Sequence, residues 1–148
     1  MITRSGTHPA AKGPAVCFTG DVTVQPLFAE EEAAAYGGAY VTFAPGARSA
    51  WHVHPGGQRL VVTEGVGRTQ EWGGPVEEFR AGDVLWCPPG VKHWHGAAPN
   101  STMTHLALTG VRDGRNVEWL EQVTEERYGA AGPDESPETT VGPGRPSS

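Results

Sequence analysis

The chain has 148 residues, a formal charge of −6 and a pI near 5.4, which suits one domain with a real core and is too short for two comfortable ones. The acidic balance, with no cluster of Lys or Arg, argues against nucleic acid as a partner. No apolar run is long enough to cross a bilayer, and the stretch from Met1 to Pro9 lacks the apolar segment of a secretory signal, so no membrane association and a cytoplasmic location are expected.

Residues 1–13 read as a loose N-terminus. From there, 21 glycines and 13 prolines punctuate short segments rich in Val, Leu, Thr and aromatics, the pattern of an all-β barrel or sandwich. Strands are predicted at Ala15 to Phe18, Asp21 to Pro26, Gly38 to Phe43, Ser49 to His54, Arg59 to Glu64 and Gly67 to Trp72. They continue at Pro75 to Phe79, Val84 to Cys87, Lys92 to Gly96, Thr102 to Leu108 and Val117 to Val123. Thr124 to Tyr128 has a capping Thr followed by two Glu and predicts a short helix outside the barrel. Residues 129–148 are mostly Gly, Pro, Ser, Thr and acid with little to bury, so a disordered tail is expected. Cys17 and Cys87 are far apart with no Cys-x-x-Cys spacing, which disfavours a disulfide framework or a zinc knuckle.

Five of the six histidines fall into two short blocks and one later strand. In an extended strand alternate side chains share a face, so His52 and His54 point the same way, and Gln58 can return toward them after a tight turn. His93 lies in the second block. Three imidazoles and one side-chain oxygen make a ligand set for a divalent transition metal with positions left open for chemistry. His95 shares parity with His93, and His105 shares it with Ala107 and Thr109, so both can face a cavity and are candidates for proton transfer. If Ala39 and Val41 also point inward, with Thr109 opposite, small side chains leave room beside the metal for a small-molecule substrate. His8, in the loose terminus, has no assigned role. Trp51, Trp94 and Trp119 read as fillers between sheets or at a subunit contact, Arg48 as a strand-edge or interface charge, and Glu64, Glu77 and Glu78 as solvated surface.

The two blocks resemble the paired motifs of the cupin family. The first runs Gly46, His52, His54, Gln58, Gly65 and the second Gly82, Pro88, Gly90, His93, with every spacing met. Two positions depart from the pattern: the commoner Glu ligand is Gln58 here, and Ala97 stands where an Asn is frequent. The resemblance implies a cupin jelly-roll barrel over residues 14–128 with a metal in its mouth, held by His52, His54, Gln58 and His93. Longer matches, among them Val41-Thr-Phe-x-Pro-Gly-Ala-Arg48 and His93-Trp-His-Gly-Ala-Ala-Pro99, are similar to the manganese-dependent cupin hydroxynitrile lyases.

That group implies a lyase cleaving cyanohydrins to a carbonyl compound and hydrogen cyanide, and the parity of His105 and His95 makes them the candidate catalytic groups for such a reaction. Mn²⁺ is the favoured metal, and Fe²⁺, Zn²⁺, Ni²⁺ or Co²⁺ are compatible with the ligand set. An iron-dependent dioxygenase acting on a small enol or diketone is the alternative within enzymes, and a non-catalytic ligand-binding cupin the alternative outside them. Family habit and strands needing cover at the barrel rim suggest a homodimer or homotetramer.

Overall fold

The computed structural model describes residues 1–129, so the predicted tail lies outside the described residues from position 130 onward. Among the described residues twelve strands form one hydrogen-bonded sheet that curls into the expected jelly-roll barrel, and no helix there is long and apolar enough to cross a membrane. In chain order they are β1 (Ala11–Lys12), β2 (Phe18–Thr19), β3 (Val22–Phe28), β4 (Tyr36–Phe43), β5 (Arg48–Ser49) and β6 (His52–Val53). Then come β7 (Gln58–Glu71), β8 (Val76–Arg80), β9 (Val84–Cys87), β10 (His93–Ala97), β11 (Met103–Gly110) and β12 (Glu118–Trp119), followed by helix α1 (Glu125–Gly129). The principal path through the sheet runs β1-β3-β4-β11-β7-β10-β5-β2, and every pairing is antiparallel.

The two predicted strands on either side of Gly65 are one long strand, β7, which serves both halves of the barrel. Its first part pairs β11 and β9, and its second part pairs β10 and β8. Gly65 sits at the corner with φ +81°, and a Cβ there would lie 1.7 Å from the Thr102 carbonyl oxygen. The bend is therefore available only to glycine. Gly65→Ala is expected to cost at least about 2 kcal/mol from backbone strain alone, read as a lowered midpoint in urea denaturation.

Other boundaries also differ from expectation. The predicted Ser49 to His54 strand is broken into β5 and β6, because the backbone amides of Ala50 and Trp51 turn to the Cys17 and Glu121 carbonyls instead of a ladder partner. Residues 15–17 form a turn rather than a strand, and only Glu118–Trp119 of the Val117 to Val123 segment pairs. The terminus expected to be loose contributes β1, which pairs β3 at Ala11↔Val24.

The main core holds Val22, Phe43, Leu60, Val62, Phe79, Leu85, Cys87 and Met103 between the two faces. A second cluster of Trp51, Val76, Trp94, Val123 and Tyr128 lies where the C-terminal segment docks. Trp51 and Trp94 are thus fillers, as expected. Helix α1 is capped as predicted, with the Arg127 amide donating to Thr124 Oγ1 at 3.1 Å. The Tyr128 hydroxyl donates to the Ala97 carbonyl at 2.6 Å. Arg48 is not an edge charge. It is 4% exposed, donates to the Val123 carbonyl and to Glu125, and stacks 4.6 Å from the Tyr128 ring centre, so it fastens the C-terminal segment to the barrel.

Candidate metal centre

The register of three strands brings the histidines together. His93 on β10 sits opposite His52 on β6, and side-chain alternation puts His54 with His52 and His95 with His93. Ring centres lie 4.3 Å apart for His52 and His93, 4.8 Å for His52 and His54, and 5.4 Å for His54 and His93. His105 on β11, opposite Val41 of β4, reaches His95 at 5.1 Å between ring centres. All five rings are buried.

Each motif imidazole is oriented by a backbone carbonyl. His52 Nδ1 donates to Ala50 at 2.8 Å, His54 Nδ1 to Asn116 at 2.7 Å and His93 Nδ1 to Val91 at 2.9 Å. A carbonyl oxygen only accepts, so the proton is on Nδ1 and the lone pair of each neutral ring is on Nε2. The Nε2 atoms of His54 and His93 are buried without a hydrogen-bond partner. Gln58 follows the same logic: its Nε2 donates to Thr109 Oγ1 at 2.9 Å, leaving Oε1 buried and unpartnered. Orphaned acceptors of this kind, several in one place, fit a divalent cation.

Burial sets the charge state. It pushes His93 and His105 down to about 4, and lowers His54. His52 and His95 are held well below the usual histidine range by burial, reinforced by neighbouring imidazoles. The cluster is therefore neutral at physiological pH, the form in which imidazole ligates a metal.

Among the described residues the tightest group of potential ligand atoms is His52, His93 and His95, all within 4.8 Å of one another. That set contains His95, which the sequence placed outside the ligands. His95 differs in kind from His52, His54 and His93. Neither of its ring nitrogens has a partner, so no carbonyl holds its ring, whereas His54 is oriented like His52 and His93. His105 likewise leaves both nitrogens unpartnered. His52, His54, Gln58 and His93 are the groups whose orientation leaves an acceptor free for a cation, and His95 and His105 lie beside them.

A cavity of about 350 Å³ opens onto the cluster, and its wall includes His52, His54, Gln58, His95 and His105. Ala39, Val41 and Thr109 are also among the residues that line it. Sequence reasoning missed the outer wall, formed by Cys17, Phe18, Val117 and Trp119. Trp119, expected to be a filler, is half exposed and lies 4.9 Å from His52 between ring centres. Asn116 was also missed, and its contribution is a backbone carbonyl that leaves no trace in side-chain identity.

Comparison with known proteins agrees with this architecture. The cupin domain family matches residues 39–108. The chain is 55% identical over 127 residues, 86% of its own length and 97% of the relative's, to a protein of Granulicella tundricola named (R)-mandelonitrile lyase. A cupin-like protein from Thermotoga maritima superimposes with a TM-score of 0.76 at 44% identity, covering 80% of this chain and 90% of that one. A polyketide cyclase from Streptomyces resistomycificus, at 20% identity and a TM-score of 0.56 over 72% of this chain and 75% of that one, shares the fold alone. With the barrel, the paired histidine motifs and a relative matched along nearly its whole length, the chain belongs to the cupin family.

Proposed function

We propose that the chain is a metal-dependent lyase of the hydroxynitrile lyase type, splitting a cyanohydrin into a carbonyl compound and hydrogen cyanide. The observation that carries this reading is a pair of buried, neutral imidazoles, His95 and His105, with no hydrogen-bond partner, facing a cavity beside an oriented ligand set. The relative named as a mandelonitrile lyase supports the choice of reaction.

A divalent cation held by His52, His54, Gln58 and His93 would supply positive charge against the departing cyanide, undiminished because all four ligands are neutral. The rest falls to the protein. His105 or His95 accepts the substrate hydroxyl proton, the oxygen lone pair becomes the carbonyl π bond, and the carbon–carbon bonding pair leaves with cyanide. Return of the proton to cyanide completes the balance. Ala39, Val41 and Ala107 keep the space beside the reacting carbon free, and the mainly apolar wall limits water.

The test is cyanide release from a panel of cyanohydrins by protein reconstituted with manganese, iron or zinc, with and without oxygen. Release with manganese under anaerobic conditions is expected. No cyanide with any metal overturns the lyase reading, and turnover of an enol or diketone that requires iron and oxygen assigns the dioxygenase in its place.

A further inference from the structure

Cys17 is one of two cysteines in the chain, and their surroundings differ. Cys87 belongs to the main core. Cys17 lies on the outer wall of the cavity with Pro14, Phe18, Val117 and Trp119. The turn that carries it is pinned on several sides. Its carbonyl accepts from Ala50 at 2.8 Å and its amide donates to Pro14 at 3.0 Å, while the Gln122 amide donates to the Ala15 and Val16 carbonyls at 3.0 and 2.9 Å. Gln122 follows closely on Trp119, so one side chain ties the two segments of the mouth together. Across the cavity, the fully buried and unpartnered nitrogens of His105 and His95 mark the same space as a ligand site.

We propose that Cys17 is a specificity-determining residue, a small wall side chain that leaves room for the bulky carbon substituent of the substrate, an aryl group in particular. The inference deepens the lyase reading and rests on it for the identity of the reacting end of the ligand. Polar and ligating groups gather on the inner wall at His52, His54, Gln58, His95 and His105, whereas Pro14, Cys17, Phe18, Val24, Val117 and Trp119 offer apolar surface and aromatic faces. A ligand with one polar end and one aromatic end matches that division. Cys17 is the smallest side chain among these outer residues, so enlarging it closes the space that an aryl group needs.

The experiment has two arms on the full chain. In the first, the native protein is alkylated with iodoacetamide in mildly alkaline buffer, since burial pushes the Cys17 thiol up, and the site is read by mass spectrometry. Both thiols are buried, but Cys17 borders the cavity whereas Cys87 lies in the core. Cys17 is therefore expected to react ahead of Cys87, and benzyl alcohol, a neutral aryl probe, is expected to slow Cys17 alkylation several-fold without affecting free cysteine in the same buffer. In the second, Cys17→Phe is expected to lower kcat/KM for mandelonitrile relative to acetone cyanohydrin by about tenfold or more, with Cys17→Ser retaining the original ratio. Cys17 that fails to react in the native protein, alkylation indifferent to benzyl alcohol up to its solubility limit, or an unchanged substrate ratio in Cys17→Phe overturns the proposal. If neither cyanohydrin yields cyanide with any metal, the lyase reading fails, and the protection arm still decides whether Cys17 borders an aryl site.

Discussion

His93→Ala is expected to abolish metal retention and turnover together, whereas His105→Ala keeps the metal and loses only turnover. The difference follows from how the two rings are held. His93 Nδ1 is fixed on the Val91 carbonyl, so its free Nε2 has one available role, donating a lone pair to a cation. Loss of a residue that merely supports a ligand typically costs 10- to 100-fold in metal affinity, so loss of a ligand should cost at least about that much. His105 has no such carbonyl and lines the cavity. Removing a general base lowers turnover by roughly 10²- to 10⁴-fold and leaves the four ligands in place. Metal content by elemental analysis, paired with cyanide release, separates the outcomes. Equal metal occupancy and unchanged turnover in both variants would refute the assignment.

Phe43→Ala, which truncates a side chain that directly backs the site, should produce a large loss of stability. Phe43 is completely buried at the end of β4, and its ring meets Phe18 at 6.0 Å, His95 at 6.0 Å and His105 at 5.5 Å between centres. Truncating a buried Phe costs about 3–5 kcal/mol through lost transfer energy and the cavity left behind, a substantial part of the 5–15 kcal/mol typical of a domain. The urea midpoint should fall accordingly. Because the same ring backs both unpartnered imidazoles, turnover per folded molecule should fall as well. A variant that is destabilised and fully active would show that His95 and His105 hold their positions without it.

Much of the site was legible in the sequence because alternation along a strand is a strict rule. It placed His52 with His54, His93 with His95, and His105 with Ala107 and Thr109, while which face of the Gly38 to Phe43 strand turns inward was left open by parity, and the cavity wall contains Ala39 and Val41. The outer wall was not legible. Cys17 lies in a turn, Val117 outside any strand and Trp119 in a two-residue strand, segments too short for a period to fix a side chain's direction. Arg48 was misjudged because its partner is the Val123 carbonyl, and a backbone acceptor remote in sequence has no residue-type signal. The helix cap at Thr124 was readable for the opposite reason, since donor and acceptor are three residues apart. The corner at Gly65 was legible as a break between two strands, whereas the backbone there turns without ending, a distinction carried by φ rather than by composition.

The long strand β7 belongs to both faces of the barrel. Neither face can therefore melt while the other keeps its edges paired, and disruption at one end propagates to the rungs that carry the imidazoles at the other. Chemical novelty in such a molecule has its freest range at the rim, where segments such as residues 14–17 and 116–119 can change without asking the shared rung to move.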